Sequence, residues 1–125
     1  MPQANEPAGV IKILWYFSTG KYNELRKIEG CEKLADIPAT KDLKSMVKLN
    51  DLIGFDHVIT CEGSPTKAEV SAMQKKVMMI LMKARKTGTP ALLTFYGGGH
   101  GVTNEELQIL TLNSSEPKNA VVPIQ

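Results

Sequence analysis

The chain predicts an α/β fold, a parallel sheet with helices on its faces, and two observations predict it. Apolar runs of strand length alternate with stretches of helical periodicity, in the order strand, helix, strand, helix, strand. Glycine, proline or polar clusters separate the elements, and a strand that crosses over to a parallel neighbour does so right-handedly, which lays the helices on the sheet faces. With 125 residues there is material for one domain with an ordinary core. That domain is read as residues 10–125, behind a disordered tail at 1–9.

The first strand is "VIKILWYFS", Val10 to Ser18, aromatic and β-branched with Lys12 alone polar before its end. That is the composition of a central strand covered on both faces, with Trp15, Tyr16 and Phe17 mostly core. "STGKYNELRKIEGCEKLADIP" follows as a long polar loop broken by Gly20, Gly30 and Pro38. From about Thr40 to Ile53, the positions Leu43, Met46, Val47, Leu49, Leu52 and Ile53 form a helical stripe, and Gly54 stands where a left-handed C-cap belongs. "FDHVIT" is the second strand. "SPTKAEV" opens the second helix, with Ser64 as N-cap and Pro65 in the first turn. Its stripe of Val70, Met73, Val77, Ile80, Leu81 and Ala84 runs on until Thr87-Gly88-Thr89-Pro90 stops it, and Met73, Met78, Met79 and Met82 read as helix core. "ALLTFY" is the third strand. Farther on, Thr103 and Glu106 have the form of a capping box and favour a helix, whereas "QILTL" before the turn signal "NSSEPKN" favours a hairpin. The hairpin is the reading adopted.

Composition excludes more than it assigns. Fifteen basic and 13 acidic residues give a net charge of +2, with no run of five like charges and no basic-aromatic alternation, so no nucleic-acid partner is expected. The apolar stretch Val10 to Phe17 is interrupted by Lys12 and lacks a positive region before it, and no segment approaches a membrane span. Cys31 and Cys61, without a secretory signal, read as reduced thiols in a cytoplasmic protein.

The chemistry gathers in "LLTFYGGGHGV", Leu92 to Val102. In parallel sheets, function collects at the carboxyl ends of the strands, and His100 follows the third strand there. Four of the five residues from Gly97 to Gly101 are glycine, which costs folding entropy unless the backbone needs positive φ or close approach. Neither G-x-G-x-x-G nor the Walker pattern is present, so a phosphate loop fits poorly, and "STGKY" fails the Walker test as well. The other histidine, His57, begins the second strand at the opposite edge, and no Cys-x-x-Cys or His-x-x-x-His spacing exists. No metal and no cofactor are expected. On these residues alone a plain turn and a catalytic edge both stay open.

The combination resembles the amino-terminal part of the large-subunit domain of caspase-like cysteine peptidases, the caspases, metacaspases and paracaspases. The resemblance rests on the apolar first strand; on "GKYNEL" with its aromatic; on "LADIPATKDLKSM" with an aspartate opening a helix; and on "LIGFDHVI", "SPTKAEV" and "FYGGGHG". It covers residues 10 to 102, and the His-Gly pair is its most specific piece; the departure is Gly97-Gly98, where the family usually has tyrosine and a small residue.

The resemblance implies a three-layer α-β-α arrangement, expected to be incomplete at the C-terminus. His100 would be the general acid/base partner of a cysteine nucleophile, Gly101 would give its N–H to an oxyanion hole, and Asp42 would bind a basic P1 side chain of a protein or peptide substrate. An acid in a first helical turn is also stabilised by the helix dipole without any substrate, so that reading of Asp42 stays open beside the other. Caspase-type histidines precede their cysteine by roughly 50 residues, and none of the 25 residues after His100 is Cys. The nucleophile is therefore expected from a cysteine-bearing C-terminal segment or a separate chain. Cys31 sits in a loop, and Cys61 would end a strand two places from the third. A second implication, of another class, is a non-catalytic caspase-like module that binds partners through the same scaffold.

Overall fold

The β-branched and aromatic run near the start of the chain becomes the middle of a sheet. The computed structural model describes residues 9–61, 63–104 and 107–124, with 102–104, 107–111 and 123–124 described by backbone alone. The tail expected over residues 1–9 lies outside the described residues, Gly9 excepted. The element order is β1 (Ile11–Ser18), α1 (Thr40–Ile53), β2 (His57–Ile59), α2 (Lys67–Lys86), β3 (Ala91–Gly98), β4 (Gly101–Asn104), β5 (Leu107–Thr111) and β6 (Val121–Ile124). Strands β2, β1 and β3 lie in that order and are parallel, so the fold is α/β with β1 in the centre. The segment after His100 is strand, not helix: β4 pairs antiparallel with β5, and β5 with β6. Residues 105–106, with the Glu106 of the capping-box reading, lie outside the described residues.

The core follows the period-two alternation of β1. Ile13 and Phe17, from one face, pack with Ile59, with Val70, Met73 and Val77 of α2, and with Leu112. The Phe95 ring joins that face, its centroid 4.6 Å from Trp15 and 5.8 Å from Phe17. Tyr16, on the other face, borders a cavity of about 410 Å³ shared with Leu43 and Val47 of α1. α1 has the bounds its stripe predicts and ends at Gly54 in the left-handed conformation (φ 73°), whose N–H donates to the Asn50 carbonyl at 2.7 Å.

Three readings of the helices are corrected. The N-cap of α2 is Thr66: its hydroxyl accepts from the Glu69 N–H, and the Glu69 carboxylate accepts from the Thr66 N–H, each at 3.1 Å. Ser64 has Lys67 three residues on and cannot form such a reciprocal pair. Its hydroxyl accepts from the Gly20 N–H at 3.1 Å instead, and Pro65 is buried before the helix begins. Of the four methionines read as core, Met73 alone is buried, and Met79 is 70 % exposed. The buried face of α2 is Val70, Met73, Val77 and Ala84, and Met78, Met79 and Met82 turn off it. No residue of α1 is buried, and Leu52 is 85 % exposed, because the stripe fixes the phase of the helix but not how much floor three strands offer it.

The outer side of β3 is an open edge among the described residues. Pro90 and Gly98 accept from Ile11 and Thr19 of the β1 side, so in the parallel ladder the alternate residues Ala91, Leu93, Phe95 and Gly97 aim their backbone groups outward. Leu92, Leu93 and Phe95 are exposed there.

Candidate active site

Ser18 pairs with Gly98, so the chain leaves β1 and β3 at the same edge of the sheet. His57 opens β2, paired with Ile13, at the opposite edge and is exposed.

The glycine run turns out to be strand before it is loop. Gly97 and Gly98 close β3, and Gly99 takes a positive φ of 141°. A Cβ on Gly98 would lie 2.6 Å from the Ser18 hydroxyl, and one on Gly99 2.7 Å from the Tyr22 hydroxyl. These two glycines therefore let the His100 segment press against the loop that leaves β1.

That loop is polar in composition but anchored on a fully buried Tyr22, packed with Leu25 and Ala120 and bordered by Cys31. The Tyr22 hydroxyl donates to the Thr19 carbonyl at 3.1 Å and accepts the His100 N–H at 2.6 Å. Its ring stands 4.7 Å from the imidazole, centroid to centroid. His100 Nε2 lies 2.8 Å from the Ala35 carbonyl. A carbonyl only accepts, so Nε2 carries the hydrogen, and in the neutral ring Nδ1 holds the basic lone pair. The Asn113 side-chain oxygen accepts from the Glu24 and Leu25 N–H groups at 2.7 and 3.1 Å, tying the loop to the turn after β5.

Asp36 holds the Ala35 segment. Its carboxylate accepts from the Tyr22 N–H at 2.9 Å and from Arg26 at 2.8 Å, and Arg26 also donates to the Leu34 carbonyl at 2.9 Å. The Arg26 hydrogen bond first, then the Tyr22 N–H, hold the Asp36 carboxyl below the usual carboxylate range. A lowered folded pKa gives stability that is present above the ordinary carboxylate pKa, about 4, and is lost as pH falls through the folded value. Protection of the Tyr22 amide from hydrogen exchange is therefore expected to fall below about pH 4, with the fall missing in Asp36→Asn. The same acid-side loss in wild type and variant would contradict this assignment.

Asp42, in the first turn of α1, lies beside Tyr96 near the end of β3. Burial first, then the neighbouring Asp42 carboxylate, push the Tyr96 hydroxyl up. Neither Lys41 nor Lys44 makes an ion pair with Asp42 among the described residues. Asp42 and His100 thus stand at the same sheet edge. Gly101 begins β4, opposite Leu110, and is exposed.

Cys61 follows β2 and is separated from β3 by β1. At ~4.8 Å per strand its thiol is roughly 10 Å from the strand that carries His100. Burial, and secondarily Glu69, push that thiol up, so it is protonated at neutral pH. Among the described residues no group of three His, Cys, Asp or Glu side chains is placed to hold a metal, and no helix is long and apolar enough to cross a membrane.

The Ala35 carbonyl could not be found from sequence, because any residue type supplies it. Tyr22 was visible only as an aromatic after a strand. Comparison with protein-family models, curated proteins and solved structures finds no match for the chain.

Proposed function

We propose that this chain carries the histidine half of a caspase-like cysteine endopeptidase of the cytoplasm, its sheet and helices forming the three-layer domain of that family. The observation that carries the reading is His100 just past the carboxyl end of β3, with Nε2 2.8 Å from the Ala35 carbonyl and its backbone N–H on the Tyr22 hydroxyl. Nδ1 takes the proton of a cysteine thiol, and the sulfur attacks the peptide carbonyl carbon while the oxyanion accepts the Gly101 N–H. The C–N bond then breaks as His100 returns the proton to the leaving amine. Water, deprotonated by the same nitrogen, attacks the thioester carbonyl and releases the acid and the thiol. Cys61 lies two strands away from β3, and the nucleophile is a cysteine supplied by a C-terminal segment or a separate chain, in keeping with a spacing of roughly 50 residues after the histidine. The open β3 edge, with Leu92 and Phe95 exposed, offers a place for the strand that would bring it.

Asp42 binds the basic side chain of an Arg or Lys at P1. With the cysteine supplied, Asp42→Asn is expected to lower kcat/KM for Arg-P1 and Lys-P1 reporter peptides about tenfold or more, with a much smaller effect on the thermal midpoint. Equal activity in wild type and variant would leave Asp42 as a helix-start residue only. The positions of the two cysteines also favour a second reading, a non-catalytic module on the same scaffold. Reading the transcript past codon 125 discriminates: a cysteine behind a strand pattern, about 50 residues after His100, supports the peptidase.

A further inference from the structure

We infer that Tyr22 is the positioning residue for His100, an inference that rests on the peptidase reading for its catalytic meaning but not for its geometry. Three independent contacts meet on this one side chain. Its hydroxyl accepts the His100 N–H at 2.6 Å and is itself aimed by donating to the Thr19 carbonyl at 3.1 Å. Its ring lies against the imidazole with centroids 4.7 Å apart and planes tilted by 55°. Gly99 passes over the hydroxyl where a Cβ would come within 2.7 Å.

The side chain is wholly buried, and its own N–H is held by Asp36, so the hydroxyl is a fixed point. A hydroxyl that already donates to one carbonyl has lone pairs left for a donor, and the His100 amide is the one it receives. The backbone of His100 is thereby pinned at its nitrogen while the Ala35 carbonyl pins Nε2 at the far side of the ring. Two points on one residue fix the orientation of the imidazole. A phenylalanine at position 22 would keep the ring support and lose the pin.

The chain has two histidines, so His57 at the opposite edge is a built-in reference for a nuclear magnetic resonance test. In Tyr22→Phe the His100 amide proton is expected to move upfield and to exchange about tenfold faster, as loss of one hydrogen bond implies. The imidazole carbon-bound protons keep their ring-current shift in that variant and lose it in Tyr22→Leu. His57 stays in place in both. A folded Tyr22→Phe with the His100 amide unmoved overturns the inference. If that variant does not fold, the wild type decides: a slowly exchanging tyrosine hydroxyl proton with a cross-relaxation peak to the His100 amide is expected, and its absence overturns the contact. In the enzyme completed by its cysteine, Tyr22→Phe should lower kcat about tenfold at unchanged KM. Moved His100 signals with kcat unchanged would overturn the catalytic part alone, and failure of the peptidase reading would leave the contact standing.

Discussion

Under the proposed peptidase reading, the chain completed by a cysteine-bearing segment is expected to lose about a thousandfold in kcat/KM when His100 is replaced by alanine. The size follows from the two jobs assigned to one nitrogen. Without Nδ1 the thiol is not deprotonated on attack, and the leaving amine has no proton donor on collapse. What survives is positioning and the oxyanion donor, which still accelerate the reaction over water. His57→Ala is the matched control, because that residue lies at the other end of the sheet and is exposed. A loss below about tenfold for His100→Ala, or an equal loss for His57→Ala, would contradict the assignment.

The largest effect on stability is expected at Phe17. It is 1 % exposed and packs with Ile13, Val70, Met73, Val77 and Leu112, so truncation removes contacts from β1, α2 and the segment after β5 together. Phe17→Ala is expected to cost about 3–5 kcal/mol, a large share of the roughly 5–15 kcal/mol that holds a domain. Leu52→Ala is the counterpart: at 85 % exposure it has almost nothing to lose and should stay within about 0.5 kcal/mol of wild type. Urea unfolding of both variants measures the contrast. A cost below about 1 kcal/mol at Phe17 would mean that the sheet and α2 do not share one core.

The contrast between these residues also marks what sequence can tell. Periodicity located α1 to the residue and placed its cap at Gly54, since both depend on local backbone and side-chain spacing. The stripe of α2 already separated Met73 from Met78, Met79 and Met82, and reading all four as core overrode it, whereas Met73 alone is buried. The α2 start was misplaced at Ser64 for a different reason: Ser64 and Thr66 are both good caps, and the choice falls to Glu69 together with the distant Gly20 N–H that occupies Ser64. At the candidate site, the histidine after a strand was legible from topology. The partners that orient it were not, since one is a backbone carbonyl and the other reaches across 78 positions of sequence from Tyr22. The glycines were read as a loop, yet Gly98 belongs to β3, and what selects glycine there is the approach of Ser18 from the neighbouring strand.

The central proposal is that His100 serves a thiol supplied by a cysteine-bearing segment or a separate chain. The direct measurement is turnover of Arg-P1, Lys-P1 and Asp-P1 reporter peptides by purified residues 1–125 alone and by the same chain joined to its cysteine-bearing segment. The account predicts no turnover by the chain alone, and thiol-dependent cleavage after Arg and Lys once the segment is present. Thiol-sensitive turnover by the chain alone that disappears with Cys61→Ala would contradict the geometry, and activity that survives replacement of every cysteine would contradict the peptidase chemistry itself.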